Sequence, residues 1–476
     1  MIRDLLNTLN DLTFKAEEIH IIVKIHSPYA KYVPDLLNPS PKRQLCPPTP
    51  WNRARMNALS NAIKPASLSG ESARDTICTL SRLVLFNVKY SPNLGDGLLS
   101  ECLERELAQA LPGCEVRSVD LAGRSCYPSE HRRTRGLALA LLEWLPVRLR
   151  HFLAWTMLSL AIALRLRRHY ERGLEGADAV IVGGGNLLTD ADLNFPMKIS
   201  SALAQANRHG LPVAIYAVGV SSKWSRRGSR IFTQALVQNR PIWASVRDDV
   251  SQKAWQAHLA GRGIAPAQLT IDPGVLASCH YPRGPRHPSD RRIGVCITDP
   301  LAVRYHSDPA HAANLETWYP VALRSLVEHG FEVILFTNGS PEDREYLHRR
   351  LHLWVRQAKG PVVLGRSFDT PADLVTLVSG CDAVVGHRMH ACVAAYSFGV
   401  PALGLCWDKK LDSFFELTGR SKHMLDTAKI AAEDLGTRTA AAIADSFDPS
   451  RLISRAREEV ATFAATLKAA VPGNTG

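Results

Sequence analysis

From about Leu80 onward, short apolar runs recur along the chain, separated by stretches with apolar residues three or four positions apart. Arg82–Lys89 reads as a strand, and Gly97–Leu111 as a helix with Leu99, Leu103 and Leu107 on one face. Ala179–Val182, Val213–Val218, Ile242–Val246 and Leu269–Ile271 read as further strands. After a break the series resumes at Ile293–Ile297, Glu332–Thr337, Val362–Leu364, Ala383–Val385 and Ala402–Cys406. Nearly continuous apolar strands alternating with helices predict parallel sheets covered on both faces. The expected fold class is α/β, with two Rossmann-like domains facing a cleft.

The same pattern sets the boundaries. Residues 1–79 are expected to be a mostly disordered extension: seven prolines fall between Pro28 and Pro50, and little apolar periodicity is present to offset the ordering entropy. Met56 is an alternative start under this reading. Residues 80–280 form the first domain, 281–292 a linker rich in Pro, Arg and Gly, 293–448 the second domain, and 449–476 a helix and tail folding back on the first. A helical insertion is expected at 137–172. Its core, Phe152–Leu164, carries no charge, and Arg148, Arg150, Arg165, Arg167 and Arg168 flank it. Two readings stay open for Leu137–Tyr170: a helical hairpin packed on the domain, or a helix lying in a membrane interface with arginines meeting lipid phosphates.

Composition narrows the partners. A formal net charge of +12 suits nucleic acid, anionic lipid or an acidic substrate. Zinc-finger spacing and interleaved aromatic and basic residues are absent, so no nucleic acid is expected. Ten cysteines without a CxxC pair read as free thiols in a reducing compartment, with Cys296, Cys392 and Cys406 buried. No apolar run reaches the ~20 residues of a membrane span, and the first residues do not resemble a signal peptide. The expected location is cytoplasmic, at the inner face of the cell membrane if the insertion meets lipid.

Five motifs fall at predicted strand ends, where parallel sheets bind ligands. In Asn93-Leu94-Gly95-Asp96, Asp96 either caps a helix or accepts a proton from a hydroxyl. Gly183-Gly184-Gly185-Asn186 lets the backbone of Gly184 and Gly185, and Asn186, approach a ligand closely. Arg247, in Ser245-Val246-Arg247-Asp248, either pairs with Asp248 or grips a carboxylate or phosphate. His387-Arg388-Met389-His390 opens a helix, so Arg388, His387 and His390 add charge where backbone N–H groups already favour an anion. Trp407-Asp408-Lys409-Lys410 would lie beside it, with Lys410 toward the pocket. No Asp or Glu occurs between His387 and Trp407 to hold a ribose. A positive pocket suits a ligand carrying phosphate and carboxylate together.

This motif set resembles the polysaccharide pyruvyl transferase family. The resemblance runs from about Leu80 to Lys422 and is most specific in Arg388-Met389-His390-Ala391, Gly399-Val400-Pro401, Trp407 and Lys410. Met389 and Trp407 depart from the usual Leu and Tyr. The resemblance implies a GT-B-like fold, phosphoenolpyruvate as donor substrate with no cofactor or metal, and a saccharide or lipid-linked oligosaccharide as acceptor. It implies that Arg247, Arg388 and Lys410 hold the donor, that His390 is the general acid, and that Asp96 activates the acceptor. A nucleotide-sugar glycosyltransferase and a non-catalytic, membrane-associated assembly protein are the rival readings.

Overall fold

Twelve short strands build two separate sheets, each six-stranded and parallel throughout, in the computed structural model, which describes residues 80–127, 147–190, 192–286, 291–306, 309–366 and 368–471. The first sheet holds β1 (Arg82–Asn87), β2 (Glu115–Asp120), β3 (Ala179–Gly183), β4 (Val213–Val218), β5 (Trp243–Val246) and β6 (Gln268–Leu269), in the order β2-β1-β3-β4-β5-β6. The second holds β7 (Arg292–Cys296), β8 (Glu332–Phe336), β9 (Val362–Leu364), β10 (Ala383–Gly386), β11 (Ala402–Leu405) and β12 (Met424–Leu425), in the order β12-β11-β10-β7-β8-β9. The expected fold class is the one observed. β3, β4 and β10 are buried along their whole length, as strands covered on both faces must be.

In the first lobe the longer helices are α1 (Leu94–Ala110), α2 (Val147–Ala161), α3 (Arg167–Leu174), α4 (Asn194–Arg208), α5 (Arg226–Asn239) and α6 (Asp249–Leu259). In the second they are α7 (Pro309–Glu328), α8 (Pro341–Ala358), α9 (Pro371–Ser379), α10 (Met389–Ser397), α11 (Lys409–Leu417) and α12 (Leu435–Ala444), followed by α13 (Ser450–Ala470). One apolar core joins the lobes: Leu98 and Leu103 of α1, Leu374 of α9, Ala391 and Ala394 of α10, and Phe463 of α13 belong to it. Helix α13 packs on the first lobe. Its Phe463 stacks on Tyr216 at 4.5 Å and meets Trp243 at 5.3 Å. Burying such a ring contributes ~1.5–3 kcal/mol.

Several details differ from the sequence reading. β2 and β12 were not anticipated; both are edge strands, and β2 interrupts its two valines with Arg117 and Ser118 instead of forming an apolar run. Helix α1 starts at Leu94, not Gly97, because Asn93 is its cap and accepts from the Gly95 N–H. Cys406 is half-buried, whereas Cys296 and Cys392 are buried. Residues 281–286 of the expected linker are strapped down: Tyr281 donates to Glu101, Arg283 to the Phe398 carbonyl, and Gly284 N–H to Ser379. The described part of the insertion is one helical run from Val147 to Leu174, with a π-helical turn at Ile162–Leu166. The expectations for 1–79, for the insertion before Val147, for 287–290 and for 472–476 lie outside the described residues.

Candidate functional site

Strand order decides where the site forms. In the first sheet the order reverses between β1 and β3, and in the second between β7 and β10. Chains leaving neighbouring strands in opposite directions open a crevice at such points. The Asn93–Asp96 turn follows β1, Gly184–Asn186 follow β3, and His387–His390 follow β10, so sequence motifs from both lobes meet at two switch points.

The two crevices face each other across a tight seam. The Leu94 N–H donates to the Asn338 carbonyl at 2.8 Å, and Asn338 Nδ2 donates to Asn93 Oδ1 at 2.5 Å. Gly95 lies against the His390 ring so closely that an added Cβ would stand 2.6 Å from His390 Cβ. Gly95→Ala is therefore expected to force the loops apart and destabilise the protein by about 1–3 kcal/mol. An unchanged melting temperature in that variant would show that the seam opens freely.

At this seam a small group of ionisable side chains converges. Arg247, with its side chain only 5% exposed, donates through Nη1 to Asp272 Oδ2 at 3.1 Å. His390 Nε2 lies 3.6 Å from the same carboxylate oxygen, an ion-pair distance and too long for a hydrogen bond. Asp272 itself is fixed by the Gly274 N–H at 2.9 Å. Asp96 stands opposite: a Cβ on Gly185 would be 3.6 Å from its Oδ1. Gly219 brings Asn186 Oδ1 and Arg247 Nη2 together over its bare Cα, where a side chain would collide with both. Asn186 Oδ1, Arg247 Nε, Asp248 Oδ2 and His390 Nε2 are buried without a hydrogen-bond partner among the described residues. Orphaned polar atoms gathered at one place mark a surface built to receive a polar ligand.

The electrostatics are mixed in a useful way. Burial raises the Asp96 carboxyl above the usual range, although His390, Ser91 and Arg247 pull the other way, so it is a better proton acceptor than an exposed Asp. Burial would raise Asp272 too, but His390, Arg247 and the Gly274 N–H outweigh it and hold the carboxyl well below its ordinary value. Burial, with Arg247 close by, lowers the Lys410 ammonium to about 8 against the pull of Asp408, Asp248 and Asp96. Asp248 and Asp408 cap α6 and α11, and thereby set the chain directions that place Arg247 and Lys410.

Of the residues singled out from sequence, Asp96, Gly185, Asn186, Arg247, His390 and Lys410 share this cluster. Gly184 shapes the turn instead: its φ of 75° needs glycine, and a Cβ would strike Leu99. Arg388 lies one step aside. Its Nε and Nη2 both donate to Asp343 Oδ2, at 2.9 and 2.6 Å, and its guanidinium covers the Trp407 ring at 5.0 Å. His387 is fully buried behind it, with Nδ1 3.3 Å from the Tyr319 hydroxyl, so the structure does not bring it to the cleft surface. Asp272 and Asp343 were missed as functional residues. Asp272 carried a signal, since it sits in the Ile271-Asp272-Pro273-Gly274 turn at the end of the first sheet. Asp343 carried none, being one of two acids in the first turn of an outwardly polar helix.

Comparison with known proteins places this geometry. Among solved structures, the S. aureus MnaA–UDP co-structure has a TM-score of 0.50 at 14% identity, covering 84% of this chain and 100% of that one. UDP-GlcNAc 2-epimerase of Methanocaldococcus jannaschii, in complex with UDP-GlcNAc and UDP, gives 0.45 at 10% identity over 81% and 99%. The E. coli ADP-heptose LPS heptosyltransferase II gives 0.39 at 14% identity over 76% and 98%. The first of these likenesses shows a shared GT-B-type fold. No curated protein matches the chain. The family model described as polysaccharide pyruvyl transferase matches residues 93–409, which span both lobes and every residue of the cluster but Lys410, one position beyond. The chain therefore belongs to the polysaccharide pyruvyl transferase family.

Proposed function

We propose that the protein transfers pyruvate from phosphoenolpyruvate to two hydroxyls of a saccharide, free or lipid-linked, forming a cyclic ketal and releasing inorganic phosphate. The observation that carries this reading is the convergence of Arg247, Lys410, His390 and Asp96 on one seam, two cations with an imidazole and a carboxylate of raised proton affinity. The donor bears a phosphate and a carboxylate, and two cationic grips suit it. Arg388 uses two of its five N–H donors on Asp343, which leaves others for the donor.

Each step falls to a residue in place. His390 gives a proton to the donor's methylene carbon, leaving an oxocarbenium-like centre at the carbon that bears phosphate. A sugar hydroxyl adds there while Asp96 takes its proton. The second hydroxyl then displaces phosphate, passing its proton to the now neutral His390, and closes the ketal. Asp272 touches no reacting atom; it positions His390 and Arg247 against one another. The reading requires no resident cofactor, because the donor supplies the transferred group and the leaving group.

Incubation with phosphoenolpyruvate and candidate saccharides should yield a pyruvate-sized mass addition and free phosphate. Stabilisation by UDP or GDP with no response to phosphoenolpyruvate would favour a nucleotide-sugar glycosyltransferase instead. Lys410 adds a pH signature. Below about pH 8 it is charged and grips the donor, and above that it is neutral. Donor kcat/KM should therefore fall as pH rises through about 8, and Lys410→Arg, charged throughout, should move the fall upward. A profile unaltered by that substitution would remove Lys410 from the donor site.

A further inference from the structure

We infer that the N-terminal half of the α2–α3 helical run, with the arginines that follow it, is a docking surface for an anionic lipid bilayer. The surface lies outside the cleft, and its role does not depend on which reaction the cleft performs.

Geometry sets where this surface lies. Helix α3 runs antiparallel to the first sheet and is pinned along β2: Arg117 donates to the Gly173 carbonyl at 2.5 Å, and His169 Nε2 lies 3.1 Å from the Asp120 carbonyl. Tyr170 donates to Leu121 and Arg165 to Gly123, just past the carboxyl end of that strand. Leu166, Tyr170 and Leu174 are buried there. Residues 147–164 therefore continue toward and past the carboxyl edge of the sheet, the edge on which the cleft opens, in a helix about 25 Å long.

The projecting part is apolar where it is exposed. Met157, Leu160 and Leu164, at i, i+3 and i+7, share one face and are 64%, 43% and 62% exposed. Helices rarely leave three large apolar side chains in line to water. No helix among the described residues is long and apolar enough to cross a membrane, so the face suits the plane of an interface.

Charge selects the occupant. Arg165, Arg167, Arg168 and Arg172 are exposed along the run beyond the apolar face, with Glu171 the acid among them. Trp155 lies on the other side of α2, under the Arg227 guanidinium of α5 at 4.5 Å, so the apolar row faces away from α5. A row of apolar side chains bordered by arginines matches acyl chains bordered by phosphates.

Flotation of the full-length protein tests the inference. Phosphatidylcholine–phosphatidylglycerol vesicles should carry the wild type upward, and phosphatidylcholine vesicles should not. The triple variant Met157→Glu, Leu160→Glu, Leu164→Glu should lose at least about tenfold in partitioning with an unchanged melting temperature. Should that variant be less stable, Arg167→Ser with Arg168→Ser should still weaken flotation and lessen its dependence on phosphatidylglycerol. Equal recovery with both vesicle types, or variants that float like the wild type, would overturn the inference. So would a triple variant that turns from dimer to monomer without losing flotation, because the face would then belong to a second copy.

Discussion

Replacing His390 by Gln is expected to lower kcat for pyruvyl transfer by about 10²- to 10⁴-fold and to leave the donor KM near its original value. Gln has a similar reach, so it can still fill the space beneath Gly95 and hydrogen-bond toward Asp272. It cannot deliver a proton to carbon. Phosphate release measured at saturating donor and acceptor reads the effect, and a melting curve checks that the seam has not opened. The ring reaches from the second lobe to lie between Gly95 and Asp272, both of the first, so few other groups can replace it. A variant with full turnover would contradict the assignment, and would direct attention to Lys410, whose ammonium near 8 is the next available donor.

Most of this architecture could be read from the apolar pattern because most strands are buried on both faces. A strand such as Val213–Val218, buried at all six positions, advertises itself in sequence. β2 does not: it is an edge strand whose exposed Glu115 and half-buried Arg117 and Ser118 break the run, and its place is fixed by pairing with β1. The turn at Asn93 was legible, but its use was not. Asn and Asp are both good helix caps, and nothing local tells which one caps and which one is left for the cleft. The structure gives the cap to Asn93 and frees Asp96.

The site was legible as single motifs and illegible as pairs. His390, Arg247 and Lys410 stand out because each follows a strand in a charged cluster. Their relation depends on Asp272, which is 25 residues from Arg247 in the chain and approaches His390 only across the lobes. Arg388 shows the opposite case. It looks free in sequence, yet folding brings it to Asp343, fully buried at the start of α8, and no local rule anticipates that partner.

The pairing of Arg247 with Asp272 leads to the second large effect. Arg247→Met should reduce donor kcat/KM by about 10- to 150-fold, the loss of one charge-assisted grip, and should destabilise the fold by about 3 kcal/mol or more. The stability loss arises because Asp272 and Asp248, both buried, lose the guanidinium that faces them at 3.1 and 3.7 Å. Adding Asp272→Asn removes one of the stranded charges. The double variant should regain much of the stability, since neither member of the pair then stands alone in the interior. Activity should not return, because the donor's grip is still missing and His390 has also lost the carboxylate that positions it. Denaturant melts and steady-state kinetics on the two single variants and the double variant separate these effects. Recovery of activity in step with stability would show that Arg247 serves only to neutralise Asp272, and the donor's anionic groups would then have to be held by Lys410 and Arg388 alone.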